Sequence, residues 1–327
     1  MTFLEECDKW TSGALRMSGV PIFAFGILLI IGCTTSFAHI IIPLLAEPGS
    51  LLFLWLCFIC SVFSFCILFN FIAAAVFREA VISPAETRRL AREALLLPPR
   101  QQQRFLDEPA RFCEKCKRYK APREHHCSLC GRCVAKMDHH CPWINNCVNS
   151  ENHRYFFLFL LYLLIGTGCG TIIILLTAYF RASEEEDDEY ELKPSSPHHS
   201  QKFFVFPIML MLTLCGAIFV TMIFFMAWNI LHVFRNETQI ERVIVQSKES
   251  FSYGRLVPFR NPYDLGRWRN VLFLFETRGD PLIRRLKKGE DVGNVKLLLW
   301  LIIPTLRPSA CDGVHYPTFD EEVMMPV

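Results

Sequence analysis

The sequence has little net charge. Its 327 residues sum to +2 at neutral pH, so no basic field marks it for nucleic acid. It has no internal repeat. Its first residues carry Glu5, Glu6 and Asp8 beside Lys9 and Arg16, and they lack the basic start and short apolar core of a cleaved secretory signal. Met325-Pro326-Val327 holds no prenylation box. The excess is apolar: 52% of residues are hydrophobic and 29 are Phe, beyond the range of an ordinary soluble protein.

The apolar residues fall in blocks. A helix needs about 20 apolar residues to cross a bilayer, and four stretches qualify: Val20–Leu45, Leu51–Phe77, Tyr155–Phe180 and Phe203–Phe234. The first is too long for a signal core and reads as an uncleaved span. The connection Glu47-Pro48-Gly49-Ser50 is a tight turn without Lys or Arg. Arg78, Arg88, Arg89, Arg92, Arg100 and Arg104 follow the second block, and Arg154 opens the third. Basic residues near span ends stay in the cytoplasm, so residues 78–154 are expected there, with both termini. Pro84 to Arg104 has helical spacing, with Leu90, Ala94 and Leu97 on one side; it suits a basic helix on anionic lipid or a solvated linker helix.

These features divide the chain. Residues 1–19 form a cytoplasmic N-terminus and 20–77 the first two spans. Residues 78–154 are a cytoplasmic linker and cysteine-rich domain. Residues 155–234 are the last two spans, and 235–327 a basic cytoplasmic tail. Between the last spans, 181–202 includes Glu184 to Glu189 and then Pro194 to His199, which reads as a solvated, disordered lumenal loop. Leu297 to Ile303 is too short to span and is a core element or a membrane-surface contact. Asn236-Glu237-Thr238 is a glycosylation sequon, and this topology leaves it unmodified in the cytoplasm.

The segment from Cys113 to Cys147 carries the chemistry. It holds seven of the fifteen cysteines, with His125, His126, His139 and His140. Cys-x-x-Cys spacing at Cys113/Cys116, Cys127/Cys130 and Cys130/Cys133 lets two thiolates converge on one ion, and zinc prefers four ligands. In reducing cytoplasm such a cluster reads as metal site or nucleophile, not as disulfides. Eleven candidates stand against the eight that two zinc ions need. Six Cys and two His would leave Cys141, His125 and His139. Of these, His139 and Cys141 lie next to Asp138, an acid–imidazole–thiol series suited to an activated nucleophile. In an extended strand alternate residues share a face, so His140 can face metal while His139 and Cys141 face away. Spacing alone leaves the pairing of ligands open. An ordinary zinc-binding adaptor is the competing reading.

Asp138-His139-His140-Cys141 within Cys113-x-x-Cys116 and His126-Cys127-x-x-Cys130-x-x-Cys133, closed by Cys147, resembles the DHHC family of protein S-acyltransferases (palmitoyltransferases). Thr238-Gln239-Ile240-Glu241 stands where that family has Thr-Thr-x-Glu, with Gln in place of the second Thr. Asn261-Pro262-Tyr263, with Asn270 downstream, is similar to the family's Asn-Pro-aromatic segment. Ser83-Pro84-Ala85 departs from the family's Asp-Pro-Gly.

The resemblance implies an α-helical integral membrane protein with four transmembrane helices. A cytoplasmic cysteine-rich domain between helices 2 and 3 binds two structural zinc ions, one on Cys113, Cys116, His126 and Cys133, the other on Cys127, Cys130, His140 and Cys147. Cys141 is then the nucleophile, His139 its base and Asp138 the residue that orients His139. The donor is long-chain acyl-CoA such as palmitoyl-CoA, and the acceptors are proteins with membrane-proximal cysteines. Location in the endomembrane system, Golgi or ER rather than plasma membrane, is expected. The non-catalytic membrane zinc-binding adaptor remains the alternative. Trp143 either packs near the acyl thioester or anchors the domain at the interface. Gly166 leaves the deep end of an acyl-chain cavity open, or with Gly170 forms a small-xxx-small helix contact.

Overall fold

The computed structural model describes residues 3–78, 82–83, 85–86, 88–89, 92, 112–190, 199–249, 261–288 and 290–318. Among the described residues, four helices are long and apolar enough to cross a membrane: Ser18–Leu45, Leu51–Val76, His153–Phe180 and Phe206–Arg235. They lie within longer elements. These are α1 (Phe3–Ser36), which passes through a π turn at Phe37–Ile41 into α2 (Ile42–Leu45), then α3 (Leu51–Val76), α4 (His153–Tyr190) and α5 (His199–Arg235). The π turn falls where Pro43 has no N–H to offer the preceding turn, so the ladder changes register there.

The acidic run Glu184–Glu189 differs from its reading as a disordered loop: α4 continues through it to Tyr190. Adding a residue to an existing helix costs little beside nucleating one, and Glu is a good helix former. Of Pro84 to Arg104, residues 85, 86, 88, 89 and 92 are helical, and the rest, like the tail residues Arg255 and Arg260, lie outside the described residues.

The chain forms two compact units. One comprises Ala24–Asn70 and Phe157–Trp228, the bodies of the apolar helices. Its core holds Ile41, Ile174, Met211 and Cys215, with Phe37, Ile40 and Leu212 against them. Ser64 Oγ donates to Thr34 Oγ1 at 2.8 Å and joins α3 to α1. Much of the outer surface is large and apolar, as at Phe206, Met209 and Phe224, which suits lipid as the solvent.

The other unit comprises Met1–Phe23, Phe71–Phe156 and Asn229–Val327. Among its described residues are three two-stranded antiparallel hairpins: β1 (Phe112–Cys113) with β2 (Arg118–Tyr119), β3 (His125–Cys127) with β4 (Arg132–Val134), and β5 (His139–Cys141) with β6 (Asn146–Val148). Four tail helices follow: α6 (Gln239–Glu249), α7 (Arg267–Phe275), α8 (Pro281–Lys287) and α9 (Asn294–Ile302).

Within this unit asparagines cap two helix ends. The last carbonyls of a helix have no partner within it. At the end of α3, Asn146 Nδ2 donates to Phe77 O at 2.9 Å, and Asn152 Nδ2 donates to Ala74 O at 2.8 Å. At the end of α5, Asn270 Nδ2 donates to Phe234 O at 2.8 Å and Asn261 Nδ2 to Arg235 O at 2.6 Å. The Asn-Pro-Tyr segment and its downstream Asn thus act as a helix cap.

Asn152 also donates to Cys147 O, and its Oδ1 accepts from Asn149 N, both at 2.8 Å. Asn152→Ala strands these buried groups and should lower stability by about 2–4 kcal/mol, read as earlier thermal unfolding in detergent. Lys117→Ala, at an exposed ion pair, should leave the transition unchanged.

Candidate active site and metal centres

Hairpin register builds the site. His126 pairs with Cys133, and His140 with Cys147, so each pair projects from one face of its hairpin. Adjacent strand residues point oppositely. His126 and Cys127 therefore serve different clusters. Each Cys-x-x-Cys turn is tightened by its own sulfur: Cys116 N donates to Cys113 Sγ at 3.4 Å, and Cys130 N to Cys127 Sγ at 3.3 Å. Gly131, at φ 67°, takes the left-handed position that closes the second turn.

Two groups of four ligand atoms result, each within 4.8 Å of one another: Cys113, Cys116, His126 and Cys133, and Cys127, Cys130, His140 and Cys147. These are the two sets the resemblance implies. Zn–S and Zn–N bonds of about 2.3 and 2.0 Å put tetrahedral edges near 3.6 Å for S···N and 3.8 Å for S···S. Here His126 Nδ1 lies 3.5, 3.3 and 3.9 Å from the sulfurs of Cys113, Cys116 and Cys133. His140 Nδ1 lies 3.7, 3.4 and 3.7 Å from those of Cys127, Cys130 and Cys147, and Cys130 Sγ to Cys147 Sγ is 3.5 Å. Donor set and edge lengths fit zinc at both sites, with four protein ligands in each.

His125, His139 and Cys141 lie outside both clusters. On β5, His139 and Cys141 share the face opposite His140. His139 Nδ1 lies 2.7 Å from Asp138 Oδ2, which leaves Nε2 as the nitrogen for other chemistry, and the ring meets Phe156 edge-on at 5.4 Å. Cys141 is buried, and its sulfur is close enough to the His139 ring to favour the imidazolium. Burial by itself disfavours the His139 cation, but the Asp138 carboxylate and Cys141 outweigh it and push the imidazole up to about 9. Burial by itself would raise Asp138, but His139 and nearby imidazoles hold the carboxyl at about 2.

Asp138 Oδ1 accepts from the backbone N–H of Gln239 at 2.9 Å. The bond therefore needs no side-chain hydroxyl at residue 239. The Gln239 amide nitrogen stands 3.5 Å from His139 Nδ1. Thr238 and Glu241 form a capping box at the start of α6: Thr238 N donates to Glu241 Oε2 at 2.8 Å, and Glu241 N to Thr238 Oγ1 at 3.2 Å.

Sequence reading missed Arg123. It is fully buried and donates to both Glu241 oxygens at 2.7 and 2.8 Å. It also donates to Asn236 O at 2.8 Å and lies 4.3 Å from the Tyr263 ring centroid and 5.2 Å from that of Tyr316. Burial opposes its charge, and Glu241 more than restores it. Asn236, the sequon asparagine, is itself buried and donates to Tyr263 O at 2.8 Å. Lys136 was also missed; it sits 4.7 Å over the Phe273 ring, and burial brings its amine down to about 8. Four asparagines between Asn145 and Asn152 were the available signal for the α3 cap.

Trp143 occupies the β5–β6 turn, half exposed and two residues from Cys141. In the helical unit, a Cβ on Gly166 would make ordinary contacts, at 3.5 Å from Ile67 Cδ1 and 3.8 Å from Phe63 Cδ1. Gly170 faces Phe37 at 3.7 Å. The close approach is at Gly168, where a Cβ would fall 2.7 Å from the Phe219 ring.

Purified protein should contain close to two zinc ions per chain by elemental analysis. Cys116→Ala or His126→Ala should remove one of them and lower the unfolding temperature, because structural zinc contributes folding energy directly.

Comparison with known proteins agrees with this geometry. Residues 107–246 match the family model described as DHHC palmitoyltransferase. Palmitoyltransferase ZDHHC6 of Danio rerio is 41% identical over 186 residues, which cover 52% of this chain and 45% of that protein. The Homo sapiens protein of the same name is 39% identical over 185 residues, 52% and 44% of the two chains. Probable protein S-acyltransferase 16 of Arabidopsis thaliana is 34% identical over 165 residues, 50% and 54%. The chain thus spans about half the length of these relatives. The matched stretch holds both Cys/His clusters, the Asp-His-His-Cys strand and the capping box that meets it, so the likeness to the DHHC palmitoyltransferase model rests on the residues of the site itself.

Proposed function

We propose that the chain is a protein S-palmitoyltransferase that moves a long-chain acyl group from acyl-CoA to cysteines of membrane-proximal proteins through an acyl-enzyme on Cys141. The observation that carries this reading is the Asp138–His139 pair at 2.7 Å, on the strand of Cys141 and outside both metal clusters. A purely metal-binding adaptor has no use for a carboxylate-oriented imidazole beside a spare thiol.

His139, oriented by Asp138, takes the thiol proton of Cys141. The sulfur attacks the thioester carbonyl of acyl-CoA, a new C–S bond forms, and the bond to CoA breaks. CoA leaves as a thiol with the proton held by His139. In the second half a substrate cysteine loses its proton to His139, attacks the acyl-Cys141 carbonyl and takes the acyl group, and Cys141 recovers a proton. One thioester replaces another at each stage, so no nucleotide is needed. The two zincs have a structural role: with four protein ligands, each site would be closed to water. Zinc bound by Cys127, Cys130, His140 and Cys147 would hold the β5–β6 hairpin and so the direction of His139 and Cys141.

In this reading the chain sits in an endomembrane, with residues 78–154 and both termini on the cytoplasmic side, where acyl-CoA is available. Basic residues after the second apolar helix support that orientation. The acyl chain lies among the apolar helices, where each methylene withdrawn from water contributes about 0.8 kcal/mol. Gly166 would line this space, where an added Cβ would make only ordinary contacts, with Ile67 Cδ1 and Phe63 Cδ1. Trp143, in the β5–β6 turn two residues from Cys141, would cover the thioester.

Cys141→Ser should keep two zincs but lose hydroxylamine-labile label from an alkyne acyl-CoA, and His139→Ala should slow labelling with the metal retained. Label persisting on the cysteine-rich domain of Cys141→Ser protein would refute the nucleophile.

Gly166→Phe should shift preference toward shorter acyl chains across a series of about twelve to eighteen carbons. Equal loss at every length would instead make Gly166 a packing residue.

A further inference from the structure

α9 carries an apolar face that is largely exposed among the described residues. None of its residues is buried. Val295, Leu298 and Leu299, spaced i, i+3 and i+4, are 71%, 55% and 45% exposed, and Ile303 just beyond the helix is 47% exposed. These positions share one side of a helix. The helix cannot roll to hide them, because Trp300 is held from another side. Trp300 Nε1 donates to Asp280 Oδ2 at 2.7 Å, and Arg307 Nη1 donates to the same oxygen at 3.1 Å. Asp280 is itself fixed as the N-cap of α8, accepting from Leu282 N at 2.8 Å.

A second, independent set of bonds fixes where this face sits. Arg154 Nη2 donates to Thr305 O at 2.5 Å. The Tyr155 hydroxyl donates to Arg307 O at 3.1 Å and accepts from Arg307 N at 3.0 Å. Arg154 and Tyr155 are the second and third residues of the third apolar span, His153–Phe180. Leu306, 64% exposed, therefore lies between two residues tied to the point where the chain enters the membrane. Ile303 is two residues from Thr305, at most about 7 Å of extended chain. Lys296 and Arg284 are exposed nearby in the sequence of the same helices and suit phosphate headgroups.

We propose that α9 and Leu306 rest in the surface of the bilayer the chain itself crosses, as a peripheral anchor for the tail. An exposed apolar stripe carried to the start of an apolar span meets lipid in every copy of the protein, with no second chain required. The anchor complements the α5 cap: Asn261 and Asn270 hold the start of the tail to one helix end, and Thr305–Arg307 hold its far part to another. The proposal stands whether or not Cys141 transfers acyl groups, and its test reads no activity.

The test uses the full chain in phosphatidylcholine–phosphatidylserine vesicles. A fluorescent amino acid replaces Leu298, Ile303 or, as a reference, exposed Lys117. Lipids brominated near the glycerol end of the acyl chain should quench the reporters at 298 and 303 about twofold or more, as expected for a helix at shallow acyl depth. Aqueous iodide should quench only the reporter at 117. Leu298→Glu with Leu299→Glu should abolish bromolipid quenching of the 303 reporter while two zincs remain bound. Iodide quenching at 298 and 303 without bromolipid quenching would put the face in water and overturn the proposal. Resistance to both quenchers would show a second copy or another protein on the face, and would overturn it equally.

Discussion

The carbonyls at the end of a membrane helix are the constraint on which this architecture depends. They lie where the bilayer gives way to water, and their intrahelical partners have run out. Here asparagine side chains supply the missing donors. Asn146 and Asn152 close the end of α3, and Asn261 and Asn270 close the end of α5. The consequence for chemistry is positional. Asn146 is the cross-strand partner of Cys141, so the bond that satisfies the helix end also holds the thiol hairpin beside it.

Period-two alternation then divides the labour among neighbouring residues. His126 and Cys127 are adjacent yet belong to different clusters, and His140 joins a cluster on one side of β5 while His139 and Cys141 stand outside both on the other. The two tetrahedra interlock through the β3–β4 hairpin, which contributes ligands to both. Loss of one ion would loosen the frame of the other, and with it the face that carries the thiol. The hairpins are two or three residues per strand and could not persist alone; their rigidity has to come from the ligand geometry.

The sequence made part of this legible. Four runs of apolar residues announced four long helices, because length and composition decide that outcome almost alone. The identity of the cluster residues was visible in Cys-x-x-Cys spacing, but their pairing was not, since it depends on which strand residues face each other. The asparagine caps stayed hidden because asparagine is common in turns, and only the fold decides whether its amide finds a helix carbonyl. Arg123 gave no signal either: its worth lies in Glu241, Tyr263 and Tyr316, over a hundred residues away. Glycine spacing in α4 pointed to Gly166 and Gly170, whereas the tight contact is at Gly168, because spacing defines a stripe without saying which neighbour it meets. The acidic run went wrong for a related reason: charge marks solvation, not the end of a helix already under way.

The tail reaches the site through one carboxylate. Asp138 gives one oxygen to His139 and the other to the N–H of Gln239. Since that second donor is backbone, the position tolerates glutamine where a threonine might have been expected, provided α6 begins at the same place. Its start is fixed twice, by the Thr238–Glu241 capping box and by Arg123 gripping the same Glu241. Glu241 is thus shared between the helix start and a fully buried cation, and a residue that served only one of them would leave the other charge or donor unpaired in the interior. The Asp138 carboxylate stays ionised because both its oxygens are engaged, and an ionised Asp138 favours the imidazolium of His139 beside the Cys141 sulfur. The backbone N–H that opens a tail helix, a hundred residues downstream, therefore shares the carboxylate that orients the His139 ring.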